Sequence, residues 1–265
     1  MSSATGRTEL QEFVEAPAAF TPQGPGVALV FTPRYTLRAD VAGRWASVQR
    51  IRLRPDEIAD AVEAARSFMR VTGASVGAWW ISEHSTPPDL ESRLLTRGLR
   101  VVEGNYLIDG LLLVTAPPPA PAGIEVRPVA TAEELAAAVE VQDDAFGTPL
   151  ELRFDRAALH DEFERTRYSD VDVLYAAWVD GRIAGAGRAS FSPRGVHMSG
   201  GSTAAWARGR GAYRALVRAR WDSAVERGTP ALAVSGGAMS APILYRLGFE
   251  KVCAFRRIED VLDGA

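Results

Sequence analysis

The sequence predicts an α/β (α+β) protein of two related modules, each a mixed sheet flanked by helices, the N-terminal one partial and degenerate. Three observations carry this expectation. Strand-like and helical runs alternate through the second half, the first half repeats part of that order, and a proline-rich break parts the two. In that break, Ala116-Pro-Pro-Pro-Ala-Pro-Ala122, four prolines in seven residues can continue neither a helix nor a central strand. The expected division is therefore 1–116, a linker at 117–122, and 123–265.

In the second half, Ile124–Val129 reads as a strand. Thr131 and Glu134 form a capping box that opens a helix to about Ala145, and a second helical stretch covers Arg156–Arg165. Val171–Val179 and Arg182–Phe191 make a hairpin across Asp180-Gly181, a two-residue turn pair. A strand near Val196–Ser202 leads into a helix from Gly211 to Arg227. That helix carries Tyr213, Leu216, Val217, Trp221 and Ala224 on one stripe and stops at Gly228. A short strand (Ala231–Ser235), a short helix (Ala241–Leu247) and a return strand (Glu250–Val261) complete it.

The first half shows a strand near Ala46–Leu53, a helix from Asp56 to Val71 stopped by Gly73, and a strand at Ser75–Ser82. A short helix (Pro88–Thr96) and a two-strand return (Arg100–Val114) follow. Ser85–Leu90 and Leu95-x-x-Gly98-Leu99 echo Ser240–Leu244 and Leu247-Gly-Phe249, which points to an internal duplication. No glycine turn precedes the first of these helices, so this copy lacks a phosphate cradle.

Composition bounds the function. The 265 residues are 47% hydrophobic and 24% charged with a net charge of -3, which suits a globular protein and argues against bulk nucleic-acid binding. Cys253 is the sole cysteine, and His84 and His160 stand alone, so neither a disulfide framework nor a metal site is expected. Met1–Phe13 has no apolar core of a signal peptide, and no run approaches the roughly 18 apolar residues of a membrane span. A cytoplasmic protein with neither nucleic acid nor membrane as partner is the expectation.

The chemistry concentrates at Arg208-Gly-Arg-Gly-Ala-Tyr213. Two glycines there leave backbone N–H groups uncovered where a strand gives way to a helix. The helix adds its own unpaired donors and the positive end of its dipole. Such a junction holds a phosphate or pyrophosphate. The string lacks the Gly-Lys-Ser/Thr of a nucleotide P-loop, and Arg214 stands where a dinucleotide fingerprint has its third glycine.

With Gly200-Gly-Ser-Thr-Ala before it and Leu244-Tyr-Arg-Leu-Gly-Phe249 after it, this half resembles the GNAT superfamily of acetyl-coenzyme A-dependent N-acetyltransferases. Its signature, Arg/Gln-x-x-Gly-x-Gly/Ala, opens the central helix. Arg208-x-x-Gly211-x-Tyr213 matches except at the last place, where tyrosine replaces a small residue. The resemblance covers about 124–260, and the repeat makes the whole chain look like a tandem-GNAT protein.

The resemblance implies acetyl-coenzyme A as co-substrate and no metal. Its pyrophosphate would lie on the backbone of Arg208, Gly209, Arg210, Gly211 and Ala212, beside Tyr213, with the two arginines as supporting cations. The preceding strand would splay, so that Ser202, Thr203 and Ala204 present backbone to the pantetheine and thioester, with Gly200-Gly201 suited to a bulge. Tyr245 would protonate the departing thiolate; a core tyrosine with a wet hydroxyl is the plainer reading.

His197, eleven positions before Arg208, is a candidate general base; a hydrogen-bonded strand histidine is the alternative. Asp143, Asp144 and Glu151 could attract a cationic acceptor or simply be solvated, and Cys253 reads as a core thiol. The expected reaction is direct acetyl transfer to an amine of a small molecule or peptide, by a monomer or homodimer. A longer acyl donor, an oxygen acceptor, or a non-catalytic coenzyme A- or partner-binding module are the rival readings.

Overall fold

The computed structural model describes residues 4–24, 26–40, 45–101 and 107–262. The chain begins α1 (Ala4–Glu15), β1 (Val27–Phe31), β2 (Thr36–Asp40), β3 (Trp45–Gln49), α2 (Ile58–Thr72), β4 (Val76–Ser82), α3 (Leu90–Leu95), β5 (Arg100–Val101) and β6 (Leu107–Leu113). It continues β7 (Glu125–Pro128), α4 (Ala132–Phe146), α5 (Arg156–Thr166), β8 (Asp172–Val179), β9 (Arg182–Ser192) and β10 (Gly195–Thr203). Then come α6 (Ala212–Glu226), β11 (Leu232–Gly236), α7 (Ala241–Arg246) and β12 (Glu250–Val261).

Packing divides the chain differently from the linear division at 117–122. One unit comprises 1–112, 235–246 and 250–265, and the other comprises 113–234 and 247–249. The first break falls between Leu112 and Leu113, ahead of the proline run. The final strand belongs with the first unit because β12 pairs β4 antiparallel over seven positions, from Phe255↔Ser82 to Val261↔Val76. Strand pairing is a contact between segments distant in sequence, so a linear reading has no signal for it.

The first unit has the strand order β1-β2-β3-β4-β12-β6, with β5 also on β12. Helix α2 buries Ile58, Ala61, Val62 and Ala65, the spacing of one helical face, against a core that includes Leu37, Val48, Trp79, Ile81 and Ile258, and Met69 against Ala39, Ala46 and Ala74. The helix closes at Gly73, as expected. The sequence reading placed no element before Ala46, and the structure adds α1 and the β1–β2 hairpin there. That hairpin turns through Thr32-Pro-Arg-Tyr35 rather than a two-residue glycine turn, which removes the usual local cue. Of the expected return at Arg100–Val114, residues 102–106 lie outside the described residues.

The second unit has the order β11-β10-β9-β8-β7. Thr131 caps α4 by accepting the Glu134 N–H at 3.2 Å, and Asp155 caps α5 through Ala158 at 2.8 Å. Asp180 and Gly181 both take positive φ, 53° and 73°, the primed turn a tight hairpin needs. Helices α4 and α6 both pack on β9 and β10. No helix among the described residues is long and apolar enough to cross a membrane, and no group of three or more His, Cys, Asp or Glu there could hold a metal ion.

The duplication is legible in the pairing. In the first unit β1–β2 and β2–β3 are antiparallel and β3–β4 is parallel, and in the second β8–β9, β9–β10 and β10–β11 repeat that pattern. The copies differ at the turn into the helix between the third and fourth strands of each set, α2 and α6. There Glu57 accepts the Arg54 N–H at 2.8 Å and pairs with Arg34 at 3.2 Å and Arg54 at 2.9 Å. An internal carboxylate thus serves the α2 N-terminus, which has no glycine turn.

The attachment of β12 is testable. Buried Asp260 accepts a forked bond from Arg66 of α2, at 2.8 Å from Nε and 3.0 Å from Nη2. Asp260→Ala removes that fork and leaves Arg66 only Glu63 at 3.4 Å and the Arg97 carbonyl at 3.1 Å, and is expected to lower unfolding free energy by about 2 kcal/mol. An unchanged urea midpoint would show that the fork contributes nothing.

Candidate active site

Strand β10 shapes the site in the second unit. Its parallel ladder with β11 runs Val196↔Leu232, His197↔Ala233, Met198↔Val234 and stops there. Its antiparallel ladder with β9 continues but slips between Ser199 and Ser202, so that two glycines bulge opposite the single residue Gly187. Gly200 takes φ +60°, and its carbonyl accepts the Gln142 Nε2 of α4 at 2.6 Å. Beyond the bulge, β10 keeps β9 on one side only among the described residues.

The three residues expected to offer backbone there are not equivalent. Ala204 already donates its N–H to the Ala184 carbonyl at 2.9 Å, so it has no amide for a ligand. In an antiparallel ladder, alternate residues turn their polar groups to opposite sides. Ser202 therefore faces β9 like Ala204, and Thr203 turns its N–H and C=O to the open edge.

After β10 the chain makes a 3₁₀ turn, Ala205–Ala207, and Gly211 (φ +92°) starts α6. A side chain at Gly211 is barred twice, by that φ and by Pro121, whose Cγ lies 2.5 Å from where a Cβ would stand. The expected cradle from Arg208 to Ala212 is narrower than the sequence suggests. Arg208 gives its N–H to Ala205 at 3.4 Å and Arg210 gives its own to Ala207 at 3.2 Å. The amides of Gly209, Gly211, Ala212 and Tyr213 donate to no turn or cap bond among the described residues. They line the positive end of α6.

Arg208 is exposed and makes no ion pair among the described residues, whereas Arg210 pairs with Asp180 at 2.8 Å. Both groups of that pair are largely solvated, so the contact is weak and exchangeable. A cavity of about 520 Å³ adjoins this turn, lined by Ala204, Trp206 and Arg208 and by Glu140, Val141 and Asp144 of α4. Asp144 pairs with Arg153 at 2.9 Å.

His197 sits in the middle of β10, beside Ser190 of β9 and Ala233 of β11, three residues before the bulge. Tyr245 belongs to the first unit, on α7, and is 41% exposed. Its hydroxyl donates to Asp109 Oδ2 of β6 at 2.7 Å, and Lys251 Nζ lies 2.9 Å from Oδ1. Partial burial pushes the Asp109 carboxyl up, but the bonds from Lys251 and Tyr245 outweigh it and hold it below the usual range. The carboxylate in turn pushes the Tyr245 phenol up. Sequence reasoning missed Asp109, Lys251, Gln142 and the buried Arg220; only Arg220 left a trace, as a charged residue within the apolar stripe of α6.

No protein-family model matches the chain, and no curated protein matches its sequence. Solved structures do match. A GCN5-related N-acetyltransferase from Kribbella flavida superposes with a TM-score of 0.67 over 100% of this chain and 96% of its own, at 17% identity. A tandem GNAT protein from the clavulanic acid biosynthesis pathway gives 0.59 over 97% and 95%, at 16% identity. The chain has the tandem GNAT fold. A GCN5-related N-acetyltransferase from Sphaerobacter thermophilus agrees, at 0.60 over 88% and 82% with 19% identity. In this GNAT fold the parted β10 and the uncapped start of α6 lie in the second unit, and the Tyr245–Asp109–Lys251 cluster lies in the first.

The cluster predicts its own titration. The Tyr245 phenol ionises above the ordinary value of about 10, and Asp109→Asn brings it down. The difference in alkaline absorbance between each protein and its Tyr245→Phe variant measures this, and an unmoved midpoint refutes the coupling. The raised phenol contributes stability that is whole below its ordinary pKa and lost as pH rises through the shifted one. The lowered Asp109 contributes stability present above the ordinary carboxyl value and lost as pH falls through its own.

Proposed function

We propose that the chain is an N-acetyltransferase that passes an acetyl group from acetyl-coenzyme A directly to an amine. The observation that carries this reading is a single run of backbone. An unpaired strand edge at Thr203 leads into the uncapped amides of Gly209, Gly211, Ala212 and Tyr213, with the unpaired Arg208 beside them. A pantetheine amide pairs with a strand edge, and a pyrophosphate takes helix N-terminal amides and an arginine fork. Coenzyme A carries both groups in that order.

Held there, the thioester carbonyl is polarised by strand amides, and an amine that loses its proton attacks the carbonyl carbon. His197 or water takes that proton. The adjoining cavity sets Glu140 and the Arg153-paired Asp144 against Arg182 and Arg208, so the amine acceptor, a small molecule or peptide, rests on the resemblance rather than on the charge of that cavity. Tyr245 is assigned the leaving thiolate. Its proton is engaged by Asp109 and its pKa is pushed up, so the acid role requires that bond to be given up.

Arg208→Glu is expected to weaken coenzyme A binding by about tenfold or more, roughly 1.4 kcal/mol, in calorimetry. An unchanged dissociation constant removes the cradle. Tyr245→Phe is expected to lower turnover by about 10²-fold in a thiol-release assay while leaving acetyl-coenzyme A affinity intact. Equal turnover across the pH range removes the acid role.

A further inference from the structure

Helix α6 carries a charge for which its surroundings supply no counter-ion. Arg220 is 1% exposed, among the largest fully buried side chains of the protein. Its Nε donates to the Leu216 carbonyl at 2.9 Å and its Nη1 to the Arg188 carbonyl at 3.2 Å, while Nη2 has no partner. No carboxylate pairs with it among the described residues. The titratable groups that act on it are the phenols of Tyr213 on its own helix and Tyr175 of β8, the latter bonded to Ser223 at 2.9 Å. An unpaired buried cation is costly, and an apolar side chain of the same length would serve packing better.

The surrounding strands make room for this charge. Its Nη1 lies 2.9 Å, and its Cζ 3.1 Å, from where a Cβ of Gly187 would stand. Gly187 is the residue opposite the bulge, because Arg188 pairs with Ser199 and Ala186 with Ser202. The guanidinium therefore lies flat under the place where β10 opens.

Tyr213 stands on the same face of α6, seven residues and two turns earlier. Its Cε2 lies 2.7 Å, and its hydroxyl 3.4 Å, from where a Cβ of Gly201 would stand, so its ring fills the hollow of the bulge. The hydroxyl makes no hydrogen bond among the described residues. Two glycines, Gly187 on β9 and Gly201 on β10, thus admit two polar groups, one unspent donor and one charge without a carboxylate partner among the described residues, to the two sides of the bulge.

We propose that Tyr213 donates a hydrogen bond to the thioester carbonyl oxygen at the bulge, and that Arg220 is the positioning residue whose charge strengthens that donor. The proposal rests on the acetyl-coenzyme A reading above. As the amine nitrogen bonds to the carbonyl carbon, the π pair of the C=O moves onto oxygen, and the phenol O–H holds that oxyanion without giving up its proton. The pair then re-forms the C=O as the C–S bond breaks and the thiolate departs with the sulfur electrons. Burial pushes the Tyr213 pKa up and Arg220 pulls it only partly back, so the group stays a phenol, and a donor, at neutral pH. A preorganised donor aimed at developing charge in a water-poor site is an effective catalytic device. The role also accounts for a tyrosine at the place the GNAT signature reserves for a small residue.

The test begins with the wild-type chain and acetyl-coenzyme A in calorimetry. Absence of binding overturns the coenzyme reading and this proposal together, before any variant is made. With binding in hand, infrared difference spectra of the bound, isotope-labelled acetyl carbonyl need no acceptor. The carbonyl stretch is expected to fall on binding, and Tyr213→Phe is expected to restore much of the fall. With an accepted amine, the same variant loses about 10²-fold in kcat while its KM and dissociation constant hold within about threefold.

Arg220→Met is expected to keep or raise the melting temperature, since it removes an uncompensated charge, yet to lose kcat; Arg220→Lys recovers part of it. An unmoved carbonyl stretch in Tyr213→Phe overturns the proposal and leaves the coenzyme site standing. So does a kcat loss matched by lost coenzyme affinity, which marks the ring as packing. Should Arg220→Met fail to fold, Tyr213→Phe and Arg220→Lys still decide.

Discussion

The parting of β10 from β11 after Met198↔Val234 is the constraint on which the rest depends. A strand inside a sheet spends its backbone on two neighbours, and one that loses a neighbour offers a row of amides and carbonyls. Here the loss is made by the bulge at Gly200-Gly201, held by Gln142 from α4 on the Gly200 carbonyl and filled by Tyr213 against Gly201. Without the slip, residues 199–203 would continue in register, and no edge would lead into the α6 turn.

Helix α6 serves this opening at both ends of its first two turns. Its N-terminus offers amides that no cap uses, and its buried face sends Tyr213 and Arg220 to the bulge. The same face buries Leu216 and Val217 fully. The helix is held by apolar packing, so the polar groups on it are free to be poised rather than spent on stability. The first unit lacks this opening among its described residues. There the β2–β3 register runs without a shift, and the Glu57 carboxylate accepts the Arg54 N–H just ahead of α2. Among the described residues that copy keeps the pairing pattern and has neither the bulge nor the glycine turn.

Much of the fold was legible because its signals are local. Thr131 and Glu134 announced α4, Asp180-Gly181 announced the hairpin, and the stripe from Tyr213 to Ala224 announced α6, since caps, turns and amphipathic periods lie within a few residues of one another. The glycine turn and the paired glycines of the bulge were legible for the same reason. Residues before Ala46 were not, since their hairpin closes through Thr32-Pro-Arg-Tyr35 and their edge strand has little burial to impose a period.

By itself the sequence determined most of the order of elements after Ala46, the duplicated plan, and the glycine turn that opens α6, because each follows from backbone geometry within a short window. Tertiary structure alone decided that β12 joins the first unit, that Asp109 accepts the Tyr245 hydroxyl's hydrogen bond, that Ala204 has no amide to give, and that Arg220 lies buried behind the bulge. Each of these depends on which distant segment occupies a neighbouring position. Pairing and burial arise only when strands far apart in the chain close on one another, so a reading residue by residue carries no trace of them beyond the charged Arg220 within the apolar stripe of α6.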